Sequence, residues 1–179
     1  MLSKIVSGAQ TGVDQAALRA ARDCGLEIGG WCPPGRVCEA GVIPLEYPLK
    51  ETPSDRSEDS PDVPRSQRTE WNVRDSDGTL VIQAKDASRP PSPSFGVASR
   101  DAATGVERTI ECAKGYGRPL LVCEVDDPNA GEKIRQWLAT NPVRTLNVAG
   151  PSESSAPGIA SEPMRYSAPS SNVCRLSPA

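Results

Sequence analysis

Short apolar runs that alternate with segments of helical period constrain this chain more than any other feature. Residues 3–7 read as a buried strand ending at Ile5-Val6. Residues 12–24 then carry Val13, Ala17, Ala20, Ala21 and Cys24 at helical spacing. In that helix Asp14, Arg19, Arg22 and Asp23 are expected to face outward, and Gly25 is the expected stop. Residues 26–32 look like a second strand, and Pro33-Pro34-Gly35 opens a loop that runs to Pro48. Residues 79–82 form a strand, 105–116 a helix, and 119–125 (PLLVCEV) a continuous apolar run with the character of a central parallel strand. Residues 132–140 place Ile134, Trp137 and Leu138 at i, i+3 and i+4, and 145–148 make the last strand. This alternation defines an α/β domain with a mostly parallel sheet flanked by helices.

A chain of 179 residues is expected to form one domain, residues 1–160. With 18 prolines and 15 glycines, and only 37% hydrophobic residues, some of it must be loop. Residues 51–66 are read as an exposed loop, 84–103 as a loop insertion without period, and 161–179 as a disordered tail. Residues 68–75 form a short helix with Glu70 and Arg74 at i,i+4. The net charge of −3 comes without a basic block, which argues against a nucleic-acid partner. No leader pattern and no apolar stretch of membrane-spanning length is present, so the expectation is a cytoplasmic protein with reduced cysteines and no membrane partner. The chain contains no histidine, which removes Ser-His-Asp and Cys-His catalysis. The six cysteines form no CxxC pair, so no metal site is expected.

The chemistry concentrates where strands end. Between Val6 and the first helix lie Ser7-Gly8-Ala9-Gln10-Thr11-Gly12, all small or polar. Glycines let backbone N–H groups approach a ligand, and a helix start adds unpaired donors and the positive dipole end. This is neither a Walker loop nor GxGxxG. It is either an anion-binding turn or a plain strand-to-helix turn with Thr11 as N-cap and Asp14 answering it. Residues 68–78 are either a solvated helix with an Asp-Gly turn or a pair of ligand contacts from Asn72 and Asp75. Thr104-Gly105 opens a helix as a second anion site or as an ordinary helix start, and residues 147–154 form a donor-rich loop. Parallel sheets bind ligands beyond the carboxyl ends of their strands, so the loops after Val6, Ile82 and Val148 are the places to look.

The motifs SGAQTGVDQAAL (7–18), GGWCPPGR (29–36), RTEWNVRDSDGTL (68–80), TGVERTIE (104–111) and LNVAGPSESSAPGI (146–159) follow one another in order through nearly the whole chain. In them the chain resembles the bacterial family named for molybdenum carrier proteins, the circularly permuted YpsA-like branch of the SLOG Rossmann-like superfamily. The resemblance implies a Rossmann-like fold and a binding or carrier role for a phosphorylated small molecule, molybdenum cofactor (molybdopterin) or a related nucleotide, with a homo-oligomer as the suggested assembly. It implies a first phosphate loop at Gly8, Gln10, Thr11 and Gly12. It also implies a polar motif at Asn72, Arg74, Asp75 and Asp77, and a second loop at Gly105, Thr109 and Glu111. Relatives in the wider superfamily cleave nucleotides, so the alternative is an N-glycosidic hydrolase with Glu111 and Asp75 as its carboxylates. Ala9 stands where the family pattern has glycine, which would put a methyl group where the backbone should approach the ligand.

Overall fold

In the computed structural model, which describes residues 1–84 and 97–161, β1 (Lys4–Val6) runs into α1 (Val13–Asp23) and returns as β2 (Glu27–Gly29). Three short pieces follow: β3 (Trp31–Cys32), then the hairpin β4 (Val37–Cys38) and β5 (Gly41–Val42), then β6 (Lys50–Glu51), which pairs with β3. The second half alternates α2 (Ser66–Arg74), β7 (Gly78–Gln83), α3 (Val97–Gly115), β8 (Leu120–Glu124), α4 (Ala130–Thr140) and β9 (Thr145–Ala149). Five strands form one parallel sheet in the order β2-β1-β9-β7-β8. The α/β expectation therefore holds, with four helices packed around a five-stranded parallel sheet.

The last strand occupies the middle. β9 pairs with β1 through Ile5–Leu146 and with β7 through Leu80–Val148. From β1 the chain crosses outward to β2, and from β7 it crosses the other way to β8. The connections diverge around β9, and a crevice opens at the carboxyl ends of such strands. One core joins Val13, Ala17, Leu18 and Ala21 of α1 and Ile134 of α4 to Ile5, Leu80, Ile82, Leu146 and Val148. A smaller one joins Val73 of α2 to Cys112 and Ala113 of α3, with Leu120 packed on it. Leu121 packs on the larger core and its neighbour Leu120 on the smaller, as alternation along a strand requires.

Several local expectations need correction. The apolar run at 119–125 is an edge strand, and Val122 is 40% exposed, because continuous apolarity does not fix a strand's place in the sheet. The strand expected over 26–32 breaks at Gly30, φ +134, and its end pairs with β6 in a separate sheet. α3 begins at Val97 and not at Gly105, so the end of the segment read as an insertion is helical, while residues 85–96 and the tail at 162–179 lie outside the described residues. The Glu70–Arg74 pair does not form: Arg74 pairs with Asp75 at 2.7 Å, and Glu70 accepts a hydrogen bond from the Tyr116 hydroxyl at 2.9 Å. Cys32, Cys38, Cys112 and Cys123 are free and buried.

Candidate functional site

The turn after β1 is built around Asp14, which is buried at 3% exposure and does not face outward. Its side chain folds back from the first turn of α1 and accepts the N–H of Gln10 at 3.3 Å. From the other side the Arg68 guanidinium approaches Asp14 at 3.3 Å, with side-chain exposures of 15% and 4%. Burial pushes the Asp14 carboxyl up and the Arg68 guanidinium down, and each partner's charge opposes that shift. Two charges taken out of water demand such a pairing. One donor that such a turn could offer to a ligand, the Gln10 N–H, is here directed at the chain's own carboxylate.

The two turn glycines have structural reasons of their own. A Cβ on Gly8 would lie 2.8 Å from Cζ of Arg68, so the guanidinium rests against bare backbone. Gly12 has φ +80 and precedes α1 as its N-cap, and a Cβ there would lie 2.5 Å from the Pro151 carbonyl. That contact joins the turn to the loop after β9, because Val13 N–H donates to the same carbonyl at 3.2 Å. Thr11 is not the cap; its hydroxyl donates to Glu39 at the β4–β5 hairpin and accepts the Glu153 N–H at 3.2 Å. Glu39 also accepts the N–H and hydroxyl of Ser154. Ala9 adopts φ +50, but its methyl group is fully buried in the larger core rather than aimed at a ligand.

Between this turn, α2 and α3 lies a cavity of about 250 Å³. Gln10 and Asp14 line it from the turn, Arg65, Arg68 and Thr69 from the α2 side, Gly105, Arg108 and Thr109 from α3, and Gly150, Ser152 and Ser154 from the loop after β9. It therefore lies at the carboxyl edge, where the sheet topology places a crevice. Arg65 donates to the Gln10 side-chain oxygen at 3.1 Å. Arg108 lies 4.0 Å from Glu70 and 3.6 Å from Glu111. Yet Nε of Arg68 and Nε of Arg108 are both buried without a hydrogen-bond partner. An unsatisfied buried donor costs about 1–3 kcal/mol, more when charged, so two on one cavity wall are a physical anomaly.

The sequence-derived residues divide between two places. Gln10, Gly105 and Thr109 line this cavity, but Gly105 and Thr109 do so from inside a helix, where the Thr109 hydroxyl donates to the Gly105 carbonyl at 2.9 Å. The second loop is therefore a helix interior. Asn72 and Asp75 line a different cavity of about 190 Å³ with Lys4, Trp31 and Lys50. Asn72 brackets the Trp31 backbone, accepting its N–H at 2.9 Å and donating to its carbonyl at 2.8 Å. Asp75 accepts the Trp31 indole N–H at 2.8 Å, and with Arg74 as its main partner its carboxyl falls below the usual range. Arg74 lies over the Trp71 ring at 4.4 Å, and Asp77 accepts the N–H groups of Arg144 and Thr145, tying β7 to β9. Glu111, 67% exposed, lines neither cavity. Hydrolysis by a carboxylate pair requires both groups to flank one bond, and Glu111 and Asp75 do not.

Sequence reading missed Arg65, Arg68, Arg108 and Glu39. The one local signal was Arg68 at the head of RTEWNVR, which has no carboxylate three or four positions away.

A parallel sheet with its crevice at the carboxyl edge makes this chain a Rossmann-like α/β domain. It belongs to the circularly permuted YpsA SLOG family, whose model matches residues 5–168, and its last strand lies at the centre of the sheet. It is similar to the crystal structure of the "Putative molybdenum carrier protein" from Syntrophus aciditrophicus SB, with 34% identity, a TM-score of 0.71, and coverage of 89% of this chain and 88% of that one. No curated protein matches it significantly. Among the described residues no helix is long and apolar enough to cross a membrane.

Proposed function

We propose that this chain is a binding or carrier protein that holds a phosphorylated small molecule in the cavity between the first turn, α2 and α3, without converting it. The observation that carries this reading is the cluster of Arg65, Arg68 and Arg108 on one cavity wall. Guanidinium is the side chain best matched to phosphoryl oxygens, through planar paired donors and a permanent charge. The cargo is molybdopterin or a related nucleotide, each a polar ring carrying a phosphate. A cavity of about 250 Å³ lies just below the usual range of ligand sites, which suits a compact monophosphate. The name of the Syntrophus protein supports the molybdenum-related choice of cargo.

Thermal unfolding with and without AMP, inorganic phosphate and a molybdopterin-containing extract tests this reading. A ligand at one hundred times its Kd adds about 2.7 kcal/mol to the native state, a readily measured rise in Tm. The extract is expected to give the largest rise and a retained pterin chromophore. No rise with any of the three would overturn the proposal.

A further inference from the structure

We infer that the ligand's anion is gripped by Arg68 and Arg108, from α2 and α3, and not by the glycine turn that follows β1. The inference rests on the phosphorylated-ligand reading above and assigns its recognition group.

Part of the turn's donor set is already committed. The Gln10 N–H goes to Asp14, Val13 N–H goes to Pro151, and the Thr11 hydroxyl goes to Glu39. An oxyanion taking the Gln10 N–H would have to displace the buried Asp14 carboxylate from it. The two arginines have donors to spare. Arg68 uses Nη1 on Asp14 and leaves Nε without a partner. Arg108 reaches Glu70 and Glu111 only at 4.0 and 3.6 Å through Nη2 and Nη1, and its Nε is likewise without a partner. In a guanidinium the Nε–H and one Nη–H point the same way and form a fork that matches two oxygens of a phosphate or carboxylate.

Both arginines line the same cavity, so a tetrahedral anion between α2 and α3 would meet both guanidinium groups at once. The roles then separate cleanly. Asp14 and Gly8 seat Arg68, while Arg68 and Arg108 read the ligand. Two guanidiniums in one wall suit a dianionic terminal phosphate, the group borne by a pterin phosphate or a nucleoside monophosphate.

The test is calorimetric titration of inorganic phosphate and of AMP into the wild type, Arg108→Gln, Arg68→Lys and Thr11→Val, each checked for folding by circular dichroism. Arg108→Gln is expected to weaken both probes roughly tenfold or more, because one fork is lost. Arg68→Lys, which keeps the charge but not the fork, is expected to weaken them by a similar factor. Thr11→Val should change either affinity less than about threefold, a fraction of one such loss. If Arg68→Lys fails to fold, Arg108→Gln decides alone. Binding that survives Arg108→Gln but is lost in Thr11→Val would overturn this inference and leave the proposed function standing. Failure of the folded wild type to bind either probe would remove both.

Discussion

The turn at residues 7–12 and the segment at 104–111 look alike in sequence, each pairing glycine with threonine beside a helix. In the structure they are opposites. The turn is a true strand-to-helix junction, where Gly8 lies against Arg68 and Gly12 against the Pro151 carbonyl at positive φ. The other segment is the interior of α3, and a Cβ on Gly105 would meet nothing within 4 Å. Composition alone therefore says little about whether a glycine serves a ligand, a neighbour or nothing. What separates the two regions is Asp14, a carboxylate that ties one of them to the Gln10 N–H and to Arg68.

Removing that carboxylate should have the largest effect. Asp14→Ala leaves Arg68 as an uncompensated buried charge and opens the Gln10 donor, so a loss of about 3–5 kcal/mol is expected in chemical denaturation. A loss below about 1 kcal/mol would mean that the turn does not depend on the pair. Gly12→Ala comes next, at roughly 2–4 kcal/mol, because strain at φ +80 adds to crowding against Pro151.

The α3 side carries a signature of its own. Burial pushes the Cys112 thiol up to about 11 and raises the Cys32 and Cys123 thiols as well. A raised native value means that the unfolded chain loses these protons first, from roughly pH 8.5 upward. Stability should be intact below that point and fall by about 2–3 kcal/mol as pH rises toward 11. A flat stability curve across that window would show that the thiols are solvated. The smallest effect is Gly105→Ala, expected to stabilise by about 0.5–1 kcal/mol, since alanine suits an open helical position better. Destabilisation at that site would put Gly105 back in a tight loop.

How much of the molecule is legible in its sequence follows the range of the interactions. The α1, α4 and β7 assignments rest on period, which is local, and their apolar faces are the ones buried in the larger core. The start of α3 is misread because Thr104-Gly105 imitates a helix opening, whereas one glycine costs a helix only about 1 kcal/mol and need not end it. The place of β8 at the edge is a property of sheet order, which no single strand encodes. The binding wall is the hardest to see. Asp14 and Arg68 are 54 positions apart, and Arg108 joins them only because α3 packs on α2. Asn72 and Asp75 stand out as polar residues with a purpose, but the purpose that the structure displays is to hold Trp31.

The most direct test of the account is a comparison of AMP with adenosine by calorimetric titration into the wild-type chain. Adenosine keeps the base and sugar and lacks only the phosphate. The account predicts that AMP binds with one site per chain and that adenosine binds at least about tenfold more weakly, the loss of one charge-assisted pair. Equal affinities, or tighter binding of adenosine, would contradict the claim that the arginine wall between α2 and α3 recognises a phosphoryl group.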